Sequence, residues 1–344
     1  MAEKKVRWGL LSTARINERL IPCMRSNNRS EVLAVGSRSQ ETANAFAKQW
    51  EIPRAYGSYD ELLADADVNA IYLTLPNSMH TEWVIKAADA GKQMLCEKPM
   101  AQTGEDIDLI ADAAKRNSVL VQEATMMRYH PQTLRLQQMI ADGAIGHVRL
   151  MRGVMTFTLH RPSDIRVNAK LGGGSIWDLG SYCVNFMRTM MQANPIEVQG
   201  WQTPADSDVD WSFAGQMRFA NGTLGQFYSS FQSTPRYDAE LIGSDGMIRL
   251  DLPWVNNVGV SSNIHIMAGE REQPGVTFAD STEFLNEQTI TYENVNAYQD
   301  EINSMIDSIL DGAPPIISLE DSRGNAVTLA ALCKSVREGR PITL

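Results

Sequence analysis

The stretch VRWGLLSTARINERL, residues 6–20, decides the fold. It opens as a strand over 6–11, breaks at the turn Ser12-Thr13-Ala14-Arg15, and continues over 16–25 with helical spacing of its apolar residues. The same alternation repeats to about residue 125. Strands are expected over 32–36, 70–75, 93–96 and 120–123, and helices over 39–49, around Leu62-Leu63, over 81–90 and over 103–117. Alternation at this spacing calls for a parallel sheet with right-handed crossovers. The run AIYLTL (70–75) is almost wholly apolar, as a strand buried on both faces must be.

After an expected helix over 131–142 the pattern changes. VRLMRGVMTFTLH, FAGQMRF, TLGQFYSSF and AELIGS alternate apolar with polar residues, and Asn221-Gly222 and Asp245-Gly246 supply turns between antiparallel strands. A helix over 176–191 interrupts them, and the tail from about Asn296 is helical over 301–310 and 319–337. The fold class is therefore α/β: an N-terminal Rossmann, doubly wound parallel sheet over 1–125, and a C-terminal α+β domain over 126–344 with a large, mostly antiparallel open sheet. The C-terminal helices are free to pack back on the first domain. No repeat or low-complexity linker separates the two, so direct packing is expected.

Composition narrows the function. The 344 residues, 43% hydrophobic and 21% charged, suit a soluble protein with two ordinary cores. The start MAEKKVRWGLL is too short for a signal segment and lacks a small-residue cleavage site. No apolar run reaches the ~18–20 residues of a membrane helix. Cys23, Cys96, Cys183 and Cys333 are far apart with no C-x-x-C pairing, which suggests neither disulfides nor a bound metal and points to a reducing cytoplasm. A net charge of −10 argues against nucleic acid or an anionic membrane as partner. A small molecule, or a phosphate-bearing cofactor held by local donors, remains open.

The turn after the first strand is where a dinucleotide fingerprint belongs, with glycines that let backbone approach a pyrophosphate. Ser12, Ala14 and Asn17 occupy those positions, small but not glycine. Alone this reads rather as an ordinary strand–helix turn. Its place after the first strand favours cofactor binding, with the Ser hydroxyl and Asn amide as added phosphate donors. The second strand ends at Ser37-Arg38-Ser39, where an NAD-binding chain carries an acid for the ribose. An arginine between two serines suits a 2′-phosphate instead, hence NADP(H). The alternative is a solvated Arg38 beside Ser39 acting as a helix N-cap.

Two further clusters carry chemistry. Glu97-Lys98-Pro99 follows a strand at the carboxyl end of the sheet, aiming Lys98 at a crevice, unless it is a plain surface lysine. In Gly172-Gly173-Gly174-Ser175-Ile176-Trp177-Asp178-Leu179-Gly180-Ser181-Tyr182, a helix beginning at Ser175 puts Asp178 and Tyr182 one turn apart on one face. Ser175-x-x-Asp178 reads equally as a capping box, and Tyr182 as a half-buried aromatic.

Together these motifs resemble the Gfo/Idh/MocA family. They include Leu75-Pro76-Asn77-Ser78-Met79-His80, Glu97-Lys98-Pro99, Glu123-Ala124, Arg128-Tyr129-His130-Pro131, the Gly172 to Tyr182 segment, Asn296-x-Tyr298-x-x-Glu301 and Ser318-Leu319-Glu320-Asp321. Tyrosine rather than histidine at 182 resembles the branch of dihydrodiol and NADP-dependent xylose dehydrogenases and sugar ketoreductases. The resemblance implies an NADP(H)-dependent oxidoreductase acting at a carbonyl or hydroxyl carbon of a sugar-like substrate. It implies Lys98, Tyr182 and Asp178 as catalytic residues, and Arg128, Arg166, Asp178 and Tyr182 toward substrate. It implies Ser12, Thr13, Ala14, Arg15, Ile16, Ser37, Arg38, Leu75, Pro76, Asn77, His80, Glu97 and Lys98 toward cofactor. Tyr182 would move the hydroxyl proton, with Lys98 lowering its pKa and holding alkoxide charge. It also implies a homodimer or homotetramer paired through the open sheet face. Two other outcomes exist within the family, a glycosidase working by transient oxidation and a non-catalytic ligand sensor.

Overall fold

The computed structural model describes residues 4–161, 164–254, 259–268 and 286–344. They divide into two compact units. The first comprises Met1–Met126, Lys170–Gly172 and Tyr298–Val327.

In the first unit, β1 (Val6–Leu11), α1 (Asn17–Ser26), β2 (Ser30–Gly36), α2 (Gln40–Gln49), β3 (Arg54–Tyr56), α3 (Tyr59–Ala64), β4 (Ala70–Leu73), α4 (His80–Asp89), β5 (Gln93–Glu97), α5 (Gly104–Asn117) and β6 (Val121–Ala124) follow in order. The six strands are parallel in the order β3-β2-β1-β4-β5-β6. The order reverses between β1 and β4, the switch point where open α/β sheets bind ligands. β3 is absent from the sequence expectation because Arg54-Ala55-Tyr56 is a half-buried edge strand with no apolar run.

The helical tail completes this unit. In α8 (Ala297–Asp311), Ile302, Met305 and Ile306 are fully buried against one face of the sheet, beside Leu20, Ile21 and Met24 of α1. The opposite face is covered by α3, α4 and α5, with Ala326 of α9 (Leu319–Glu338) in the same cluster. Each such side chain contributes about 1.5–3 kcal/mol when it leaves water.

The second unit comprises Met127–Ala169, Gly173–Ala297 and Thr328–Leu344. It contains α6 (Pro131–Ala141), β7 (Val148–Thr158), α7 (Ser181–Met191), β8 (Glu197–Pro204), β9 (Asp210–Arg218), β10 (Leu224–Ser230), β11 (Gln232–Gly243), β12 (Gly246–Asp251), β13 (Ser262–Ala268), β14 (Asn286–Tyr292) and β15 (Ile342–Thr343). The sheet order is β14-β13-β12-β11-β7-β10-β9-β8-β15, antiparallel except for β7 beside β10. α7 lies on this sheet, and Gly225 of β10 lets it come close: a Cβ there would stand 2.9 Å from the Met187 sulfur. The final strand, β15, is two residues long and carries no signal a sequence pattern can detect.

Candidate active site

At the end of β1, Ser12 adopts φ 135°, a conformation that costs a non-glycine residue on the order of 1–3 kcal/mol. Its partners hold it there. Ser12 Oγ lies 2.7 Å from Thr74 Oγ1 and accepts the Ala14 amide at 3.1 Å, and Asn17 Nδ2 donates to the Ser12 carbonyl at 2.8 Å. This corrects one expectation. The Ser12 hydroxyl and Asn17 amide brace the turn instead of facing a phosphate. What the turn offers is backbone: α1 has no side-chain N-cap, and the amides of Thr13, Arg15 and Ile16 find no backbone acceptor among the described residues. Open amides at a helix N-terminus fit an anion such as a cofactor pyrophosphate.

Beside it, Ser37 is buried and its amide donates to the Tyr56 carbonyl at 3.0 Å. Ser39 caps α2 by accepting the Thr42 amide at 3.4 Å, so the N-cap reading holds for this serine. Arg38 is exposed, close to the Tyr59 phenol, whose pKa burial raises and Arg38 opposes. No acid stands at 36–39, and Arg38 is the one charged residue of that stretch.

Lys98 leaves the end of β5, joined to Pro99 by a cis peptide. Acids gather at the end of this strand, Glu97 half-buried and Glu123 and Glu301 buried. Tyr72 donates to Glu97 Oε1 at 2.5 Å. Glu123 accepts the Met100 amide through Oε1 and the Ser322 hydroxyl through Oε2, each at 2.8 Å, which pins the chain just beyond Pro99. Glu301 is 1% exposed. Burial first, then Glu97, pushes its carboxyl well above the usual range. From sequence these acids stand out as members of the motifs quoted above, and Glu123 also by falling inside the apolar strand LVQEA.

His80 departs from expectation. It is wholly buried, with Nδ1 2.9 Å from the Pro99 carbonyl and Nε2 2.7 Å from that of Leu75. It ties the loop around Pro76 to the Lys98 loop rather than presenting a ring to a cofactor. Asn77 reaches the glycine-rich segment, donating to the Gly172 carbonyl at 2.9 Å.

In the second unit the segment before α7 is not a plain helix start. Ile176–Gly180 forms a wide π-type turn that runs into α7, and Ser175 caps nothing with its side chain. The capping box is therefore overturned: the Ser175 hydroxyl donates to Asp210 Oδ2 at 2.5 Å. Asp178 is left for an ion pair, in which Arg166 Nε donates to Oδ2 at 2.6 Å. Arg166 is fixed from behind by Asp164, which also accepts its amide at 3.0 Å. Asp178 first, and Asp164 after it, keep the guanidinium firmly charged against the opposing effect of burial.

Tyr182 follows in the first turn of α7, 8% exposed. Arg128 is buried and donates to Asn185 Oδ1 on α7 at 3.3 Å. It packs on this helix in the structure, where the sequence suggests a substrate contact. Asp210 on β9 is a residue that sequence reasoning missed. Besides Ser175 it accepts the Ile176 amide at 2.9 Å, and burial raises its pKa to about 6.

Comparison with known proteins settles the lineage. Residues 6–125 match the oxidoreductase family with an NAD-binding Rossmann fold, and residues 133–249 match the GFO/IDH/MocA C-terminal domain. The chain belongs to the Gfo/Idh/MocA oxidoreductase family. An uncharacterised oxidoreductase of Rhizobium meliloti is 34% identical over 341 residues, spanning 97% of this chain and 98% of that protein. D-xylose 1-dehydrogenase (NADP(+)) 2 of Haloferax volcanii is 30% identical over 340 residues, spanning 98% and 99%. The 3-ketoreductase KijD10 of Actinomadura kijaniata, solved with NADP and TDP-benzene, shares the fold with a TM-score of 0.86 at 24% identity, covering 96% and 98%. Among the described residues of this Gfo/Idh/MocA oxidoreductase, no helix is long and apolar enough to cross a membrane, and no cluster of three or more His, Cys, Asp or Glu is placed to hold a metal.

Proposed function

We propose that this Gfo/Idh/MocA oxidoreductase transfers a hydride between NADP(H) and a carbonyl or hydroxyl carbon of a sugar or sugar-like substrate, in the cytoplasm. The observation that carries the cofactor choice is Arg38. It is an exposed guanidinium beside the end of β2, with buried Ser37 before it and no acid at 36–39, where a carboxylate would repel a 2′-phosphate. The NADP dependence in the name of the Haloferax relative supports it.

The amides after Ser12 would take the pyrophosphate, and Arg38 the 2′-phosphate. The bound nicotinamide supplies the hydride chemistry; the protein positions and polarises. Tyr182 is assigned the hydroxyl proton. Lys98 is assigned the charge that develops on the alkoxide oxygen. Asp178, held by Arg166, is assigned a substrate hydroxyl. Acid/base help of this kind contributes ~10²–10⁴-fold in rate.

For the assembly, the sheet of the second unit exposes Trp201 (52%), Leu224 and Tyr228. We assign this face to a homodimer or dimer of dimers; a monomer in light scattering at micromolar concentration ends that part.

The test is a panel of aldoses, keto-sugars and diones with NADP and NADPH, run beside cofactor titrations. NADP(H) should bind at least about tenfold tighter than NAD(H), roughly 1.4 kcal/mol, and Arg38→Ala should narrow the gap. Equal affinities would refute the cofactor assignment. Release of a dye-labelled sugar without net NADPH change identifies a glycosidase, and NADPH binding with no turnover on any sugar identifies a sensor; either refutes the reaction.

A further inference from the structure

We propose that Asp210 is a positioning residue for this reaction: its carboxylate anchors the Gly174–Gly180 turn, and so sets where Asp178 and Tyr182 stand. The inference rests on the reading above and adds to it a control of the same site by ionisation.

Three observations converge on Asp210. It is a buried carboxylate on β9 with donors from the turn, the Ile176 amide at 2.9 Å and the Ser175 hydroxyl at 2.5 Å, both on Oδ2. The turn is shaped to receive it. Gly174 sits at φ 123°, and a Cβ there would lie 2.4 Å from Asp210 Oδ1, so no other residue lets the carboxylate this close. The helical bonding that carries Asp178 begins at the same residue, with the Asp178 amide donating to the Gly174 carbonyl at 3.2 Å. Asp210 thus does from a neighbouring strand what an N-cap does from within a helix.

The groups facing it leave the charge to depend on this turn. From β10, Ser229 meets the Ser175 hydroxyl at 3.1 Å. From α9, the Cys333 thiol lies near enough for Asp210 to help raise its pKa after burial, with Arg337 acting on Cys333 in the opposite sense. No cation forms an ion pair with Asp210 among the described residues. An ionised carboxylate only accepts, which suits two donors on one oxygen. A protonated one can carry its proton on Oδ1 and keep both donors on Oδ2, but those bonds are then neutral and weaker, and the anchor slackens in that exchange. Burial raises this carboxyl from 3.8 to about 6, so the exchange falls in a pH range where an enzyme is assayed.

The stability sign follows. Between about pH 4 and 6 the folded chain binds this proton more strongly than the unfolded chain, so Asp210 lowers stability as pH rises through that window.

The experiment measures kcat/KM from pH 5 to 8 on the best substrate of the panel, together with hydrogen exchange of residues 174–182 corrected for intrinsic rate. In the wild type both turnover and protection should fall as pH drops through about 6. Asp210→Asn should be flat in both, slower by about tenfold or more at pH 7.5, with NADPH affinity within about twofold and no loss of melting temperature. Ser175→Ala, which keeps the carboxylate, should retain the acid limb at a reduced rate. The proposal is overturned by an Asp210→Asn enzyme with wild-type rate or an unchanged acid limb, or by protection in the wild type that ignores pH. If no sugar is turned over, the oxidoreductase reading fails on its own, and the exchange profile still decides whether Asp210 is the anchor.

Discussion

The start of α1 and the start of the turn leading into α7 are built in opposite ways. Before α1, the backbone bends through Ser12 at φ 135°, the side chains tie the bend to Thr74 and Ala14, and the amides that follow are left open. Before α7, the backbone bends through Gly174 at φ 123°, and a carboxylate from β9 occupies the amide end. Three other helix starts in the first unit are closed by side chains as well: Ser39, Ser58 and Thr103 cap α2, α3 and α5. A helix start left open keeps its partial positive charge for a ligand, whereas a closed one uses that charge to fix its own position. The first fits the cofactor role proposed for the turn after Ser12, and the second fits the positioning role proposed for Asp210.

The sharpest way to break the comparison is at the closed start. Tyr182→Phe removes one hydroxyl and should lower the hydride-transfer rate by ~10²-fold or more, with NADPH affinity within about twofold. Lys98→Ala should cost at least as much, and if the two residues serve one step, as proposed, the double variant should lose less than the sum of both. Near-normal turnover by Tyr182→Phe on the true substrate would end the mechanism. Asp178→Asn comes next. With the capping box gone, stopped-flow rates should drop about tenfold or more while the melting curve stays in place; a lower melting point at normal rate would return Asp178 to a structural role.

The open start is tested at Ser12. Ser12→Val puts a β-branched residue at a positive φ and removes the hydroxyl that braces the turn. Fluorescence titration should show NADPH affinity about tenfold weaker. Ser12→Gly relieves the backbone and should stay within about threefold of wild type. If the two variants bind alike, the shape of the turn does not set affinity.

The smallest effect concerns Glu301. Its folded carboxyl stays protonated well above its ordinary value of 4.5, so the fold holds a proton the unfolded chain has released. The stability this residue contributes is present below about pH 4.5 and declines as pH rises toward its raised value. Glu301→Gln mimics the neutral form and should raise the melting temperature at pH 8 by about 2 °C, with no gain at pH 4. An equal shift at both pH values would show that ionisation is not the cause.

Much of this was readable from residues in order. Val6–Leu11 and Ala70–Leu73 are strands because only a doubly covered sheet can bury such runs, and Asn221-Gly222 closes a hairpin because its Gly accepts φ 86°. The missing acid at the end of β2 was legible too, because it is a property of residues 36–39 alone. The acids around Lys98 were less so. Glu97 and Glu123 lie within sequence motifs, but the bonds to Tyr72, Met100 and Ser322 join positions far apart in the chain.

The sequence by itself determined the alternation of elements, the two kinds of sheet, the family and the candidate residues, since periodicity and spacing are local properties that burial imposes on each segment. Only the tertiary structure decided what those residues touch. It turned Asn17 inward to the Ser12 carbonyl, set His80 between two carbonyls, removed Asp178 from the capping box and gave it to Arg166, and brought Asp210 to the turn from 35 residues along the chain. A hydrogen bond needs its partners within about 3 Å, and between residues so far apart in sequence that distance is set by how strands and helices pack.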